Sequence, residues 1–240
     1  MNIDQLSKRL ETVVSYIPKD SKIADIGSDH AYLPCYAIGK GIASSAIAGE
    51  VVKGPYLSAK QQVKEASLED SVEVRMGNGL AILTPNEVDC ITIAGMGGTL
   101  IASILEEGNE KLEGVKRLIL QPNVSAKTIR CWLLENNWEL ISEEIVEEDG
   151  KIYEILVAER GNPISPYSEQ GKEKELLLGP FLIKERNTAF IKKWKQELNQ
   201  WNKILENMNK AEATTELVER KEQINRKVNI VEEVIGDENH

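Results

Sequence analysis

A chain of 240 residues with 41% hydrophobic and 28% charged residues holds enough apolar material to bury a core, which excludes a disordered or fibrous protein. No run approaches the ~18 uninterrupted apolar residues of a membrane helix, and residues 1–10 carry Asp4, Lys8 and Arg9 with no apolar stretch, so neither a membrane anchor nor a signal peptide is expected. The net charge is −10, and it is uneven: residues 1–160 hold 16 Lys/Arg against 25 Asp/Glu, residues 161–240 hold 13 against 14, so a polyanionic partner requires a local basic patch. Cys35, Cys90 and Cys131 are odd in number and far apart, which predicts neither a disulfide framework nor a metal site and fits a reduced, cytoplasmic protein.

Residues 2–15 set Ile3, Leu6, Leu10, Val13 and Val14 on one face at helical spacing. Short β-branched runs predict strands over 22–26, 44–48, 72–76, 88–94 and 117–120. Helices are predicted over 53–68, 99–107 and 125–135, the last with Ser125 as a candidate N-cap. Two final strands, 138–146 and 152–157, flank the hairpin dipeptide Asp149-Gly150 and put an antiparallel strand at the sheet edge. Strands alternating with helices predict an α/β, mostly parallel sheet covered on both faces.

The composition shifts at Gly161-Asn162-Pro163 and Ser165-Pro166. Beyond it, Ile191, Trp194, Leu198, Trp201, Leu205 and Met208 step at heptad spacing, as do Leu217, Ile224, Val228, Val231 and Ile235. This predicts a C-terminal α-helical coiled-coil hairpin that turns within 209–215. The expected domains are therefore 1–160 and 161–240.

In such a sheet, ligands sit outside the carboxyl ends of the strands. Four loops there carry unusual residues. The first is Asp25-Ile26-Gly27-Ser28-Asp29-His30-Ala31-Tyr32-Leu33-Pro34. It lacks the Gly-x-Gly-x-x-Gly of a pyrophosphate cradle. Its carboxylates suit a cationic ligand, which favours S-adenosylmethionine over a nicotinamide dinucleotide. Glu50, followed by Val51, ends the second strand about 20 residues after the glycine loop, the usual place for a partner of ribose hydroxyls. Gly77-Asn78-Gly79 follows the third strand, with Asn78 able to donate to and accept from an adenine edge. Ala94-Gly95-Met96-Gly97-Gly98 follows the fourth, dense enough in glycine to bring backbone against a ligand. Asn123, in Gln121-Pro122-Asn123, can hydrogen-bond a base or cap a helix. His30, beside Asp29 and Tyr32, is a structural or a catalytic residue; the other histidine is the terminal His240. Cys90 and Cys131 are expected to pack in the core.

Taken together, the decapeptide from Asp25 to Pro34, Gly49-Glu50, Gly77-Asn78-Gly79, Ile93-Ala94-Gly95-Met96-Gly97-Gly98 and Gln121-Pro122-Asn123 resemble the bacterial tRNA adenine-N1 methyltransferase family called TrmK. The resemblance implies a class I (Rossmann-like) methyltransferase sheet and methylation of N1 of adenine 22 in tRNA by S-adenosylmethionine. It implies that 1–160 is the cofactor-binding catalytic domain and that the coiled-coil domain is a tRNA contact. Cofactor binding would fall to Asp25, Gly27, Ser28, Glu50, Val51, Gly77, Asn78, Gly79, Ala94, Gly95 and Met96, while Asp29, His30, Tyr32 and Asn123 would face the target base. Neither a metal nor a membrane is implied. Two departures stand out. Asn78 replaces the acidic residue common in the third loop, and Ala94-Gly95-Met96-Gly97 stands where amino-group methyltransferases carry Asn-Pro-Pro-aromatic, in keeping with attack by a ring nitrogen. The best basic run for RNA phosphates is Lys184, Arg186, Lys192, Lys193 and Lys195. Two other readings stay open on the residues alone. One is a class I methyltransferase for a small molecule or protein. The other is a non-catalytic adenosylmethionine-binding module whose coiled coil docks a protein.

Overall fold

The structure, a computed structural model, describes residues 5–210 and 214–236. The chain divides into two compact units, Met1–Pro166 and Tyr167–His240. Among the described residues no helix is long and apolar enough to cross a membrane.

The first unit is built on seven strands: β1 (Ser21–Ile26), β2 (Ala43–Glu50), β3 (Val72–Met76), β4 (Cys90–Gly97), β5 (Arg117–Val124), β6 (Trp138–Glu148) and β7 (Lys151–Arg160). They form one sheet in the order β3-β2-β1-β4-β5-β7-β6. Strands β1 to β5 run parallel, and β7 pairs antiparallel with both β5 and β6. The antiparallel strand is thus one place in from the edge rather than at it. The hairpin at Asp149-Gly150 folds β7 back between β5 and β6, and β6 takes the edge in the same direction as the parallel set. This is the class I, Rossmann-like methyltransferase sheet.

Five helices cover it: α1 (Lys8–Ser15), α2 (Tyr32–Gly39), α3 (Lys53–Glu65), α4 (Gly98–Glu107) and α5 (Ala126–Glu135). The first three pack in sequence with one another, and α4 packs with α5, which gives a helical layer on each face. The parallel strands alternate between the layers. Ile23, Cys90, Ile119 and Val157 join the core under α1, α2 and α3, while Ile91, Leu118 and Leu120 are equally buried but lie outside that cluster. Inside the sheet's last third, Arg130 of α5 is wholly buried. Its Nε donates to Glu143 Oε1 of β6 at 2.6 Å, and its guanidinium also meets Glu154 of β7. Two carboxylates on neighbouring strands so tie α5 to the antiparallel pair.

Three local expectations change. The helix expected from residue 2 starts at Lys8, because Ser7 turns the chain and its side chain accepts Leu10 N–H; Asn2 and Ile3 lie outside the described residues. Helix α2 is not among the expected elements: it begins inside the loop expected over 25–34, contains Pro34, ends on Gly39 and buries Leu33, Pro34, Cys35 and Ala37, so no polar stripe marks its period. Ser125 precedes α5 in a left-handed conformation (φ 61°), and its side chain makes no capping bond. Cys90 is fully buried as expected, whereas Cys131 is only half-buried.

The second unit contains α6 (Lys172–Leu178), α7 (Leu182–Glu185), α8 (Thr188–Met208) and α9 (Thr215–Ile235). Asn187 and Thr214 cap the two long helices, accepting from Phe190 and Leu217 N–H. Helices α8 and α9 pack on each other as a hairpin. Of the expected seams, Trp194, Ile224, Val228, Val231 and Ile235 are buried, and Ile191, Leu198, Trp201, Leu205, Met208 and Leu217 are half-buried. The expected turn includes residues 211–213, outside those described, as is His240.

Candidate active site

The strand order reverses between β1 and β4, and the carboxyl ends and loops of β1, β4 and β5 meet there. They enclose a cleft of about 400 Å³ lined by nine of the expected residues: Asp25, Gly27, Ser28, Asp29, Tyr32, Ala94, Gly95, Met96 and Asn123. Arg9, Leu10, Leu33 and Tyr153 complete the wall.

Asp25 sits at the carboxyl end of β1 and is 4% exposed. Ser28 Oγ and Thr92 Oγ1 each donate to it at 2.6 Å. Burial pushes its carboxyl up to about 6. The two hydroxyls and Arg9 oppose that shift, and Glu50 adds to it. Glu50, also buried, has its pKa raised, chiefly by burial, while the Asp29 N–H that donates to it at 2.6 Å works the other way. The chain between these carboxylates is unusual. Gly27 (φ 72°) is followed by Asp29 (39°), His30 (66°) and Ala31 (56°), all left-handed. A Cβ on Gly27 would lie 2.2 Å from Met96 Cε, so the bare glycine lets the β4 loop close onto the β1 loop. The Asp29 side chain projects into solvent, 79% exposed. His30 is half-exposed, stacks on Tyr32 with ring centroids 5.5 Å apart, and stands 3.5 Å from Asp29 Oδ1.

The β4 loop is held from β5. The fully buried Gln121 accepts Gly95 N–H at 3.0 Å, and Asn123 Nδ2 donates to Gly95 C=O at 2.8 Å. Asn123, expected at the base, spends its amide N–H on this loop. Gly98 serves packing rather than the cleft, since a Cβ there would meet Ser125 O at 2.2 Å.

Six expected residues are not part of the cleft wall: His30, Glu50, Val51, Gly77, Asn78 and Gly79. All but His30 end or follow β2 and β3, where Gly77 N–H donates to Glu50 C=O at 2.9 Å. Val51 (62% exposed) and Met76 (57%) leave apolar surface beside the exposed Asn78, as a flat aromatic ring would require. The five basic residues belong to the second unit. Arg186, Lys192 and Lys195 line one hollow of about 450 Å³ with Thr188, Gln196 and Asn199. Lys184 and Lys193 lie outside it, their ammonium groups over the rings of Phe181 and Trp194.

Four participants escaped the sequence reading. Thr92 was detectable as a lone hydroxyl between Ile91 and Ile93 in a buried strand. Arg9 and Tyr153 come from α1 and β7, far from every motif. Gln121 was noticed without its role as a clamp. Among the described residues no three His, Cys, Asp or Glu side chains gather as a metal would need.

The sequence model described as tRNA (adenine(22)-N(1))-methyltransferase matches residues 23–233. A Bacillus subtilis (strain 168) protein of that description is 50% identical over 235 residues, covering 98% of this chain and 99% of its own. The crystal structure of the B. subtilis m1A22 tRNA methyltransferase TrmK is similar with a TM-score of 0.93 at 50% identity, over 97% of this chain and 99% of that one. A Streptococcus pneumoniae structure in complex with S-adenosyl-L-methionine has a TM-score of 0.84 at 42% identity, over 96% and 100%. With the sequence model and a half-identical relative both spanning nearly its whole length, the chain belongs to the tRNA (adenine(22)-N(1))-methyltransferase family.

Proposed function

We propose that the protein transfers the methyl group of S-adenosylmethionine to N1 of adenine 22 in tRNA. The observation that carries this reading is the cleft at the strand-order reversal, which buried Asp25 lines with no phosphate cradle beside it, while buried Glu50 ends the neighbouring β2. S-adenosylmethionine supplies an electrophilic methyl on a sulfonium centre. Asp25, Gly27, Ser28, Ala94, Gly95 and Met96 hold its amino-acid end and sulfonium. Glu50 takes the ribose hydroxyls, and Val51, Gly77, Asn78 and Gly79 receive its adenine.

Adenine N1 carries an in-plane lone pair, so the protein needs no base to create the nucleophile and its main task is alignment. As the N1–CH₃ bond forms, the S–CH₃ bond breaks and its electron pair stays on sulfur, leaving a cationic adenine. The exposed carboxylate of Asp29 stabilises that charge or takes a proton from N6. His30 and Tyr32, already stacked, offer an aromatic surface to a base turned out of the tRNA. Asn123 acts at one remove, by holding Gly95. The 1–166 unit is catalytic, and the helical unit meets tRNA through Arg186, Lys192 and Lys195, supported by Lys184 and Lys193. Such an enzyme works in the cytoplasm, where its tRNA is.

Labelled methyl transfer to tRNA transcripts with adenine or guanine at position 22 tests the assignment. Label is expected only in the adenine transcript. Equal labelling of both, or none of either, overturns it.

A further inference from the structure

Residues 1–160 hold 16 Lys/Arg against 25 Asp/Glu, so a polyanion can approach this part of the chain only where the sign reverses locally. Several of its cations are already committed: Arg75, Lys111, Lys116, Arg117 and Arg130 each pair with a carboxylate. Helix α3 differs. Its 13 residues carry Lys53, Lys60 and Lys64 against one carboxylate, Glu65, which accepts the Gln61 side-chain amide at 2.7 Å. At about 100° per residue the three lysines fall on one flank of the helix, within about 40° of one another and turned away from buried Ala59 and Val63. All three are exposed, and among the described residues none has an ion-pair partner. Lys60 Nζ lies over the Tyr56 ring, 5.1 Å from its centroid, and Leu57 stands exposed beside the row. Because β2 ends at Glu50 and α3 begins at Lys53, the row starts at the carboxyl end of the sheet and runs back from it for about 16 Å at 1.5 Å per residue.

We propose that this flank of α3 is a contact for the tRNA backbone on the catalytic unit, with Lys53, Lys60 and Lys64 answering successive phosphates and Tyr56 and Leu57 resting against the sugars between them. This rests on the reading of the protein as a tRNA methyltransferase and extends it to a helix outside every motif and outside the basic hollow of α8. Charge complementarity and position select the occupant. A row of cations in step along one helix fits a chain of phosphates, and it begins three residues beyond Glu50, so an RNA that gives a base to the cleft has this flank within reach of its backbone. One exposed leucine is too little apolar surface to hold a membrane. Such contacts fix the register of the RNA and read no sequence themselves.

The test measures tRNA binding against salt concentration, with steady-state methylation alongside, on the full-length wild type, Lys60→Glu, the double variant Lys60→Glu/Lys64→Glu, and Lys19→Glu, which makes the same change of charge just ahead of β1. The double variant is expected to weaken tRNA binding on the order of tenfold at low salt and to flatten log K against log salt by roughly one to two units. Its KM for tRNA should rise while kcat and the affinity for S-adenosylmethionine keep their wild-type values. K60E should show part of this loss and K19E little of it. An unchanged slope overturns the proposal, as does an equal loss in K60E and K19E, since α3 would then act only through net charge. Undiminished tRNA binding with lost binding to phosphatidylglycerol vesicles would give the flank to a membrane surface and overturn it too. A wild type that neither binds nor methylates tRNA would instead sink the underlying functional reading. Thermal melts identify any loss due to unfolding, and Lys60→Gln/Lys64→Gln takes the place of a reversal that fails to fold.

Discussion

Asp25 concentrates the electrostatics of the cleft in one side chain. Its folded-state pKa of about 6 stands above the ordinary 3.8, mainly through burial. For a carboxyl whose pKa rises on folding, the proton stabilises the native state. That stabilisation is complete below about pH 4 and is lost as the pH climbs through 6. The full effect is on the order of 3 kcal/mol at most. Asp25→Asn should therefore gain stability relative to wild type between pH 4 and 7, measured by denaturant unfolding across that range. A difference constant with pH would contradict it. Donor affinity should run the other way: a sulfonium and an ammonium favour the ionised form, so wild-type binding strengthens from pH 5 to 7.5, and the Asn variant loses this trend.

At the scale of elements, the glycine run that ends β4 and opens α4 shows how chemistry and packing share a motif. Gly95 (φ 80°) faces the cleft, whereas Gly98 opens α4 against the backbone of the β5–α5 turn. A methyl at Gly98 meets Ser125 O and C at 2.2 and 2.8 Å, and backbone cannot step aside as a side chain can. Gly98→Ala should cost about 2–4 kcal/mol. Gly97→Ala, whose nearest neighbour would be Val124 Cγ2 at 4.0 Å, should leave the melting temperature near wild type. Equal melting of the two variants would refute this assignment. The same run marks the limit of legibility. Three glycines read alike in one dimension, and only the approach of β5 separates their duties. The parallel strands were legible because β-branched runs alternate with polar helices. Helix α2 was not, since a helix buried on most sides has no amphipathic period. Asp25 and Glu50 could be named from their position at the end of a strand, but Arg9 and Tyr153 reach the cleft only through packing of α1 and the return of β7, which no local pattern encodes.

For the molecule as a whole, the question is how a chain of net charge −10 meets a polyanion. The helical unit is nearly neutral in sum, yet it gathers Arg186, Lys192 and Lys195 around one hollow. Phosphate contacts release counterions, so each one lost lowers the salt dependence of binding by roughly one unit of slope in log K against log salt. The double variant Lys192→Glu/Lys195→Glu should bind tRNA more weakly and with a shallower slope, while its affinity for S-adenosylmethionine stays at the wild-type value. An unchanged slope would move the RNA contact elsewhere. Lys193, half-buried over Trp194, is the poorer site for this test because its reversal also disturbs a ring contact.

The left-handed stretch Asp29–His30–Ala31 carries a consequence for the enzyme's robustness. Each residue there would rest more easily as glycine. Asp29 is the clearest case, because its side chain points into solvent and its fixed partner is reached through the main chain. Asp29→Gly should raise unfolding stability by about 0.5–1 kcal/mol and cut methyl transfer sharply, as read by melts and turnover on one preparation. A selection for heat tolerance alone would thus drift toward an inert protein at this bend, while selection for turnover keeps the less comfortable residue in place.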